Sequence, residues 1–97
     1  MQGESELRTV RVRIAGRVQG VGFRYWTEET ARELELAGWV RNRRDGSVEA
    51  LFSGAADVVD EMLRRCHEGP HAAQVTSVEV LEEGGDAPDG FEMLPTV

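Results

Sequence analysis

The chain begins its readable pattern at residue 10, where Val10, Val12 and Ile14 alternate with Arg11 and Arg13. A period of two sends one set of side chains into a core and the other away from it, which predicts a strand with one buried face. From Phe23 the period changes: Phe23, Trp26, Thr27, Thr30, Ala31 and Leu34 recur at the i, i+3, i+4, i+7 spacing of an amphipathic helix. Glu28 and Glu29 fall in its early turns, where the positive end of the helix dipole favours them. Trp39 and Val40 begin a second strand, Arg44-Asp45-Gly46-Ser47 predicts a tight hairpin turn, and Val48, Ala50 and Phe52 mark a third strand. Ser53-Gly54 is expected to break the chain before a second helix, with Ala56, Val59, Leu63 and Cys66 on its apolar face and Gly69-Pro70 at its end. Val78 and Val80 predict a fourth strand, residues 82–90 an acidic glycine-rich loop, and residues 91–97 a short edge strand, where Pro95 is tolerated because an edge needs no amide donor there.

The order βαββαβ with a terminal extension predicts an α+β fold of the ferredoxin-like kind: an antiparallel sheet with two helices on one face and a short C-terminal edge strand. The 97 residues fit a single domain over 1–97, with a polar leader over 1–7 expected to fray. One cysteine cannot form an internal disulfide, and no stretch reaches the roughly 18–20 apolar residues of a membrane span. The first residues carry no apolar signal core, so a cytoplasmic location is expected.

The formal charge of -7 argues against nucleic acid or an anionic membrane as a partner. That total conceals an asymmetry. Residues 1–44 hold nine basic and six acidic side chains, and residues 45–97 hold two and twelve. Every basic residue is arginine, whose planar fork of donors matches carboxylate and phosphate oxygens, so an anion site is sought in the first half.

The segment Gly16-Arg17-Val18-Gln19-Gly20-Val21-Gly22-Phe23-Arg24 joins the first strand to the first helix. Its backbone amides can converge on a helix N-terminus, and glycine lets the backbone curl around a phosphate. It lacks the Gly-Lys-Ser/Thr ending of a nucleotide-binding P-loop and the glycine spacing of a dinucleotide fingerprint. Elsewhere the candidates are weak. His67 and His71 are separated by Gly69-Pro70, which breaks the helix that would align them for a metal, and Cys66 sits on an apolar stripe. The run Glu82 to Asp89 has no calcium-loop spacing and is expected to be solvated.

Read together, GRVQGVGFR at residues 16–24 and GWVRNRRDGSVEA at residues 38–50 resemble the two signature segments of the acylphosphatase family. The resemblance extends from residue 10 to about residue 83. It implies a small hydrolase that cleaves the mixed anhydride of a carboxylic and a phosphoric acid, with a small acyl phosphate as substrate, no cofactor, no metal and no phosphoenzyme. It also implies a catalytic arginine and a catalytic asparagine, which by position are Arg24 and Asn42. Substrate phosphate contacts are expected from Val18, Gln19, Gly20, Val21, Gly22, Phe23 and Arg24.

The chemistry of these residue types agrees with that reading. An acyl phosphate already has a good leaving group, so catalysis reduces to binding the phosphoryl group, aligning a water and stabilising charge on the equatorial oxygens. Arg24 offers two prongs to those oxygens, and the neutral Asn42 can orient water without repelling an anion. Taken alone, Arg24 would read as a solvated residue of a first helical turn and Asn42 as a hairpin residue. Arg17, Arg41, Arg43 and Arg44 are expected to be exposed charges giving at most weak steering, and Trp26 and Trp39 to pack in or at the edge of the core. One departure from the family pattern stands at Leu34-Glu35-Leu36, where a glycine commonly follows the leucine; Glu35 disfavours a left-handed turn, so the helix is expected to run on or to end through Gly38. A monomer is expected. The alternatives are a non-catalytic phosphate- or carboxyl-phosphate-binding accessory domain, and an RNA-binding domain of the same fold, which would need aromatic side chains on an open sheet face.

Overall fold

A computed structural model describes residues 6–97. Of the polar leader expected over residues 1–7, residues 1–5 lie outside the described residues, and Leu7 already opens a strand. The alternating segment forms β1 (Leu7–Arg17), with Val10, Val12 and Ile14 fully buried. It is followed by α1 (Phe23–Glu33), β2 (Ala37–Asn42), β3 (Val48–Ala55), α2 (Ala56–Glu68), β4 (Gln74–Glu83) and β5 (Phe91–Met93).

The five strands form one sheet in the order β4-β1-β3-β2-β5. β1 lies antiparallel between β3 and β4, β2 is antiparallel to β3, and β5 is parallel to β2. The four strands of the βαββαβ unit are antiparallel as expected, and the C-terminal edge strand β5, whose direction the sequence left open, makes the sheet mixed. The cause is topological: β4 runs opposite to β1 and hence opposite to β2, so the reversal at residues 84–90 delivers β5 to the far edge parallel to β2. Phe91 fixes that edge, buried and stacked on Phe52 with ring centroids 5.9 Å apart.

Both helices cover one face. α1 packs on β2 and β5, and α2 on β1, β3 and β4. Val10, Val12, Ile14, Val40, Phe52 and Phe91 meet Phe23, Ala31, Val59, Met62 and Cys66 in one continuous core. Burying each of the larger side chains is worth about 1.5–3 kcal/mol.

Four local expectations are corrected by this packing. Ser53-Gly54 does not break the chain: β3 continues through both residues, paired with Thr9 and Arg8, and passes straight into α2. A side chain at residue 54 would meet Leu36, its Cβ lying 2.5 Å from that leucine's Cδ2, so the glycine serves packing there. On α2 the fully buried seam is Val59, Met62 and Cys66, with Leu63 beside it. Glu82 and Glu83 belong to β4, bonded to Arg11 and Arg8, so the acidic loop starts at Gly84. Finally α1 ends at Glu33, and Glu35 takes the left-handed conformation at φ 58°. Leu36 N–H donates to Ala31 O and Glu35 N–H to Arg32 O, the paired bonds of a Schellman closure. Burial of Leu36 and these two bonds outweigh the roughly 1–2 kcal/mol that a left-handed non-glycine residue costs.

Candidate active site

The C-terminal ends of β1 and β2 and the start of α1 meet at one end of the sheet. Between β1 and α1 the chain must turn within residues 18–22, and it does so through Gly20 at φ 74° and Gly22 at φ 80°. Both values lie in the left-handed region, where a side chain costs about 1–2 kcal/mol even though open space surrounds each Cα. Gly22 is the N-cap of α1 and has no side chain to accept from the helix. Trp26 N–H is the first to be satisfied, donating to Gly22 O at 3.0 Å. Among the described residues, the N–H groups of residues 19–25 have no acceptor outside this turn, so an uncapped row of donors adds to the positive end of the helix dipole.

A pocket of about 120 Å³ at this turn is lined by Val18, Gln19, Gly20, Gly22, Phe23, Arg24, Tyr25 and Asn42; Val21, expected among the phosphate contacts, does not line it. Asn42 closes β2 and enters from across the turn. Its Oδ1 is buried and has no hydrogen-bond partner among the described residues, a state that costs about 1–3 kcal/mol unless water or a ligand satisfies it. Eight arginines (Arg8, Arg11, Arg13, Arg32, Arg41, Arg43, Arg64 and Arg65) pair with described carboxylates. Arg17, Arg24 and Arg44 do not. Of these three, only Arg24 lines the pocket.

A sequence model of the Acylphosphatase family matches residues 10–93. An acylphosphatase of Nitrobacter hamburgensis is 57% identical over 90 residues, covering 87% of this chain and 91% of its own length. One of Trichormus variabilis is 56% identical over 90 residues, covering 93% and 89%. The chain belongs to the acylphosphatase family. Among solved structures, an acylphosphatase from Coxiella burnetii superposes with a TM-score of 0.86 at 34% identity, covering 91% of this chain and 93% of that one. The reaction is that of the family: hydrolysis of the carboxyl–phosphate anhydride of a small acyl phosphate to carboxylate and orthophosphate.

The two acylphosphatase signature segments thus face one another across a single pocket, and one side chain ties them together. Gln19 Nε2 donates to Arg43 O at 2.7 Å and to Ser47 O at 2.8 Å, bridging the glycine turn to both arms of the β2–β3 hairpin. Its side chain is committed there, which leaves its backbone N–H facing the turn. Val18 and Phe23 are buried supports of the pocket wall, and Phe23 leans on Trp26 with ring centroids 5.3 Å apart. The hairpin itself is braced at Asp45, whose carboxylate accepts from Ser47 Oγ and Ser47 N–H. Those two bonds, with a smaller contribution from Arg13, hold the Asp45 carboxyl at about 2.

The expectation of exposed arginines fails at Arg41 and Arg43. Both donate to Glu49 Oε1, at 2.8 and 2.9 Å, while Arg11 donates to Oε2 at 2.7 Å. Glu49 is 1% exposed although it lies on the sheet face away from the helices. Burial pushes its carboxyl up, and the bonds from Arg41, Arg11 and Arg43 more than reverse this, holding it below its ordinary value. Trp39 is on the same open face, covered by the Arg41 guanidinium 4.7 Å from its ring, and so lies neither in the core nor at its edge, where it was expected. Hairpin symmetry held the missed signal: Arg41 pairs with Glu49 across the same turn that pairs Asn42 with Val48. Tyr25, 72% exposed at the pocket rim, was also missed, and its position on the first turn beside Arg24 was the available clue.

Cys66 is buried on α2, and desolvation pushes its thiol up to about 12, so it is not a nucleophile at neutral pH. Among the described residues no helix is long and apolar enough to cross a membrane.

Proposed function

We propose that Arg24 binds the phosphoryl group and Asn42 orients the attacking water, within a cradle formed by the backbone amides of residues 18–23. The carrying observation is a coincidence in one small pocket: among the described residues, Arg24 has no carboxylate partner and the buried Asn42 Oδ1 has no donor. Arg24 and the free amides neutralise the equatorial oxygens as charge builds on them. Asn42 Oδ1 accepts from the water and aims its lone pair at phosphorus. Attack forms the new P–O bond, the P–O bond to the acyl group breaks with its electron pair leaving on the carboxylate, and the water's proton passes to a phosphoryl oxygen. No protein acid is required, because the leaving carboxylate is already stable, and no protein base, because the phosphoryl oxygen takes the water's proton. The enzyme works as a cytoplasmic monomer on a freely diffusing acyl phosphate, without metal or cofactor.

Release of orthophosphate from benzoyl phosphate tests the assignment. Arg24→Ala and Asn42→Ala, folded as the wild type by circular dichroism, should each lose most of kcat; near-normal turnover in either removes that residue from the mechanism.

A further inference from the structure

Glu49 lies across the hairpin from Arg41, the residue before the proposed water-binding one. On β2 the alternation of side chains places Arg41 on the open face and Asn42 toward the pocket, and Arg43 follows beyond the strand end. Arg41 and Arg43 therefore flank Asn42 in sequence, and both are fastened to the same oxygen, Glu49 Oε1. Glu49 is held in turn from β1 by Arg11 on its other oxygen. Arg43 is also the residue whose carbonyl receives Gln19 from the glycine turn and Gly46 from the hairpin. Fixing the Arg43 side chain thus fixes a backbone point shared by both signature segments.

We infer that Glu49 is a positioning residue for catalysis: its buried carboxylate clamps the residues on either side of Asn42 and so sets the aim of the Asn42 side chain into the pocket. The inference rests on the proposed role of Asn42. It assigns a catalytic consequence to an ion cluster that touches neither substrate nor water. The pocket face of Asn42 supplies no competing anchor, because its Oδ1 has no partner among the described residues. The orientation then comes from the backbone, where Asn42 O accepts from Val97 N–H and the side chains of Arg41 and Arg43 on either side are tied to Glu49. Arg11 serves as the internal control, since it holds Glu49 from β1 and does not belong to the Asn42 strand.

Glu49→Gln keeps the size of the side chain and weakens the clamp. At a temperature where the variant is folded, kcat on benzoyl phosphate should fall about tenfold or more, because small misplacements of a reacting group are costly. The inhibition constant for orthophosphate should stay within about twofold of wild type, since Arg24 and the loop amides still bind the phosphoryl group. Arg43→Gln, which leaves Glu49 paired with Arg11 and Arg41, should lower kcat severalfold in the same way and covers the case in which Glu49→Gln does not fold. Arg11→Gln should lower stability and leave kcat near wild type. The inference is overturned if Arg43→Gln and any folded Glu49→Gln retain wild-type kcat, or if Arg11→Gln loses kcat as much as they do. Asn42→Ala in the same assay separates the two levels: if it retains kcat, the role of Asn42 fails first; if it loses kcat while the Glu49 and Arg43 variants do not, only the positioning role fails.

Discussion

Two regions meet at the end of β2 and differ in whether their positive groups have partners. On the open sheet face, Arg11, Arg41 and Arg43 converge on the internal carboxylate of Glu49, and every one of these arginines has a carboxylate partner. At the mouth of the β1–α1 turn, Arg24, the amides of residues 19–25 and Asn42 Oδ1 converge on a space of about 120 Å³ and have no described partner. The first encloses an anion that the chain supplies, and we propose that the second receives one from solution. An arginine count, or a local excess of positive charge, cannot separate these cases; pairing can.

The sharpest way to break the comparison is to remove one charge from each side. Arg24→Ala should reduce turnover of benzoyl phosphate by about 100- to 1000-fold, the range for losing one preorganised donor at a developing anion, while the urea midpoint stays nearly unchanged. Glu49→Ala should act the other way round in stability. It strands Arg41 and Arg43, leaves Arg11 only Glu82, and should cost about 3 kcal/mol in urea denaturation, at the low end of such losses because the arginines remain a quarter to two-fifths exposed. A loss of that size from Arg24→Ala, or none from Glu49→Ala, would erase the distinction.

Acid sharpens it next. The carboxyls of Glu49, Asp45 and Glu61 are held below their ordinary values, Glu49 by its three arginines against its burial, Asp45 chiefly by the Ser47 hydroxyl and N–H, and Glu61 by Arg64 and Arg65. A depressed carboxyl stabilises the fold fully above its unfolded value and ceases to do so as pH falls through its folded value. Stability should therefore fall as pH drops from 4.5 towards about 2, and Glu49→Gln should flatten that slope; equal slopes in both proteins would show that the cluster carries no linkage. The smallest effect lies away from both regions. Glu35→Gly replaces a left-handed glutamate at φ 58° and should stabilise the protein by about 1 kcal/mol, seen as a rise in Tm of a few degrees.

The sequence carried the unpaired region more openly than the paired one. A turn that must adopt positive φ beside a helix start needs glycine, so Gly20 and Gly22 announce it by residue type, and Arg24 and Asn42 stand at fixed offsets within their motifs. The Glu49 cluster has no such local mark. Its members sit at positions 11, 41, 43 and 49, three strands contribute or adjoin them, and a glutamate on an open sheet face reads as solvated until the register is known. Gln19 was legible as part of a motif while its bridging role was not, because that depends on the height at which the turn meets the hairpin. The βαββαβ order followed from period alone. The parallel direction of β5, the continuation of β3 through Gly54 and the closure at Glu35 did not, since each is decided by a tertiary contact: the route of residues 84–90, the approach of Leu36, and the burial of that leucine.

The central claim is that an anion enters where the positive groups lack partners. Titrating inorganic phosphate into the 15N-labelled protein and following amide shifts tests this directly. Saturable shifts are expected at residues 18–25 and the Asn42 side chain alone, lost in Arg24→Ala, with Arg11, Arg41, Arg43 and Glu49 unmoved. Shifts centred on those four residues, or a response at residues 18–25 that survives Arg24→Ala unchanged, would contradict it.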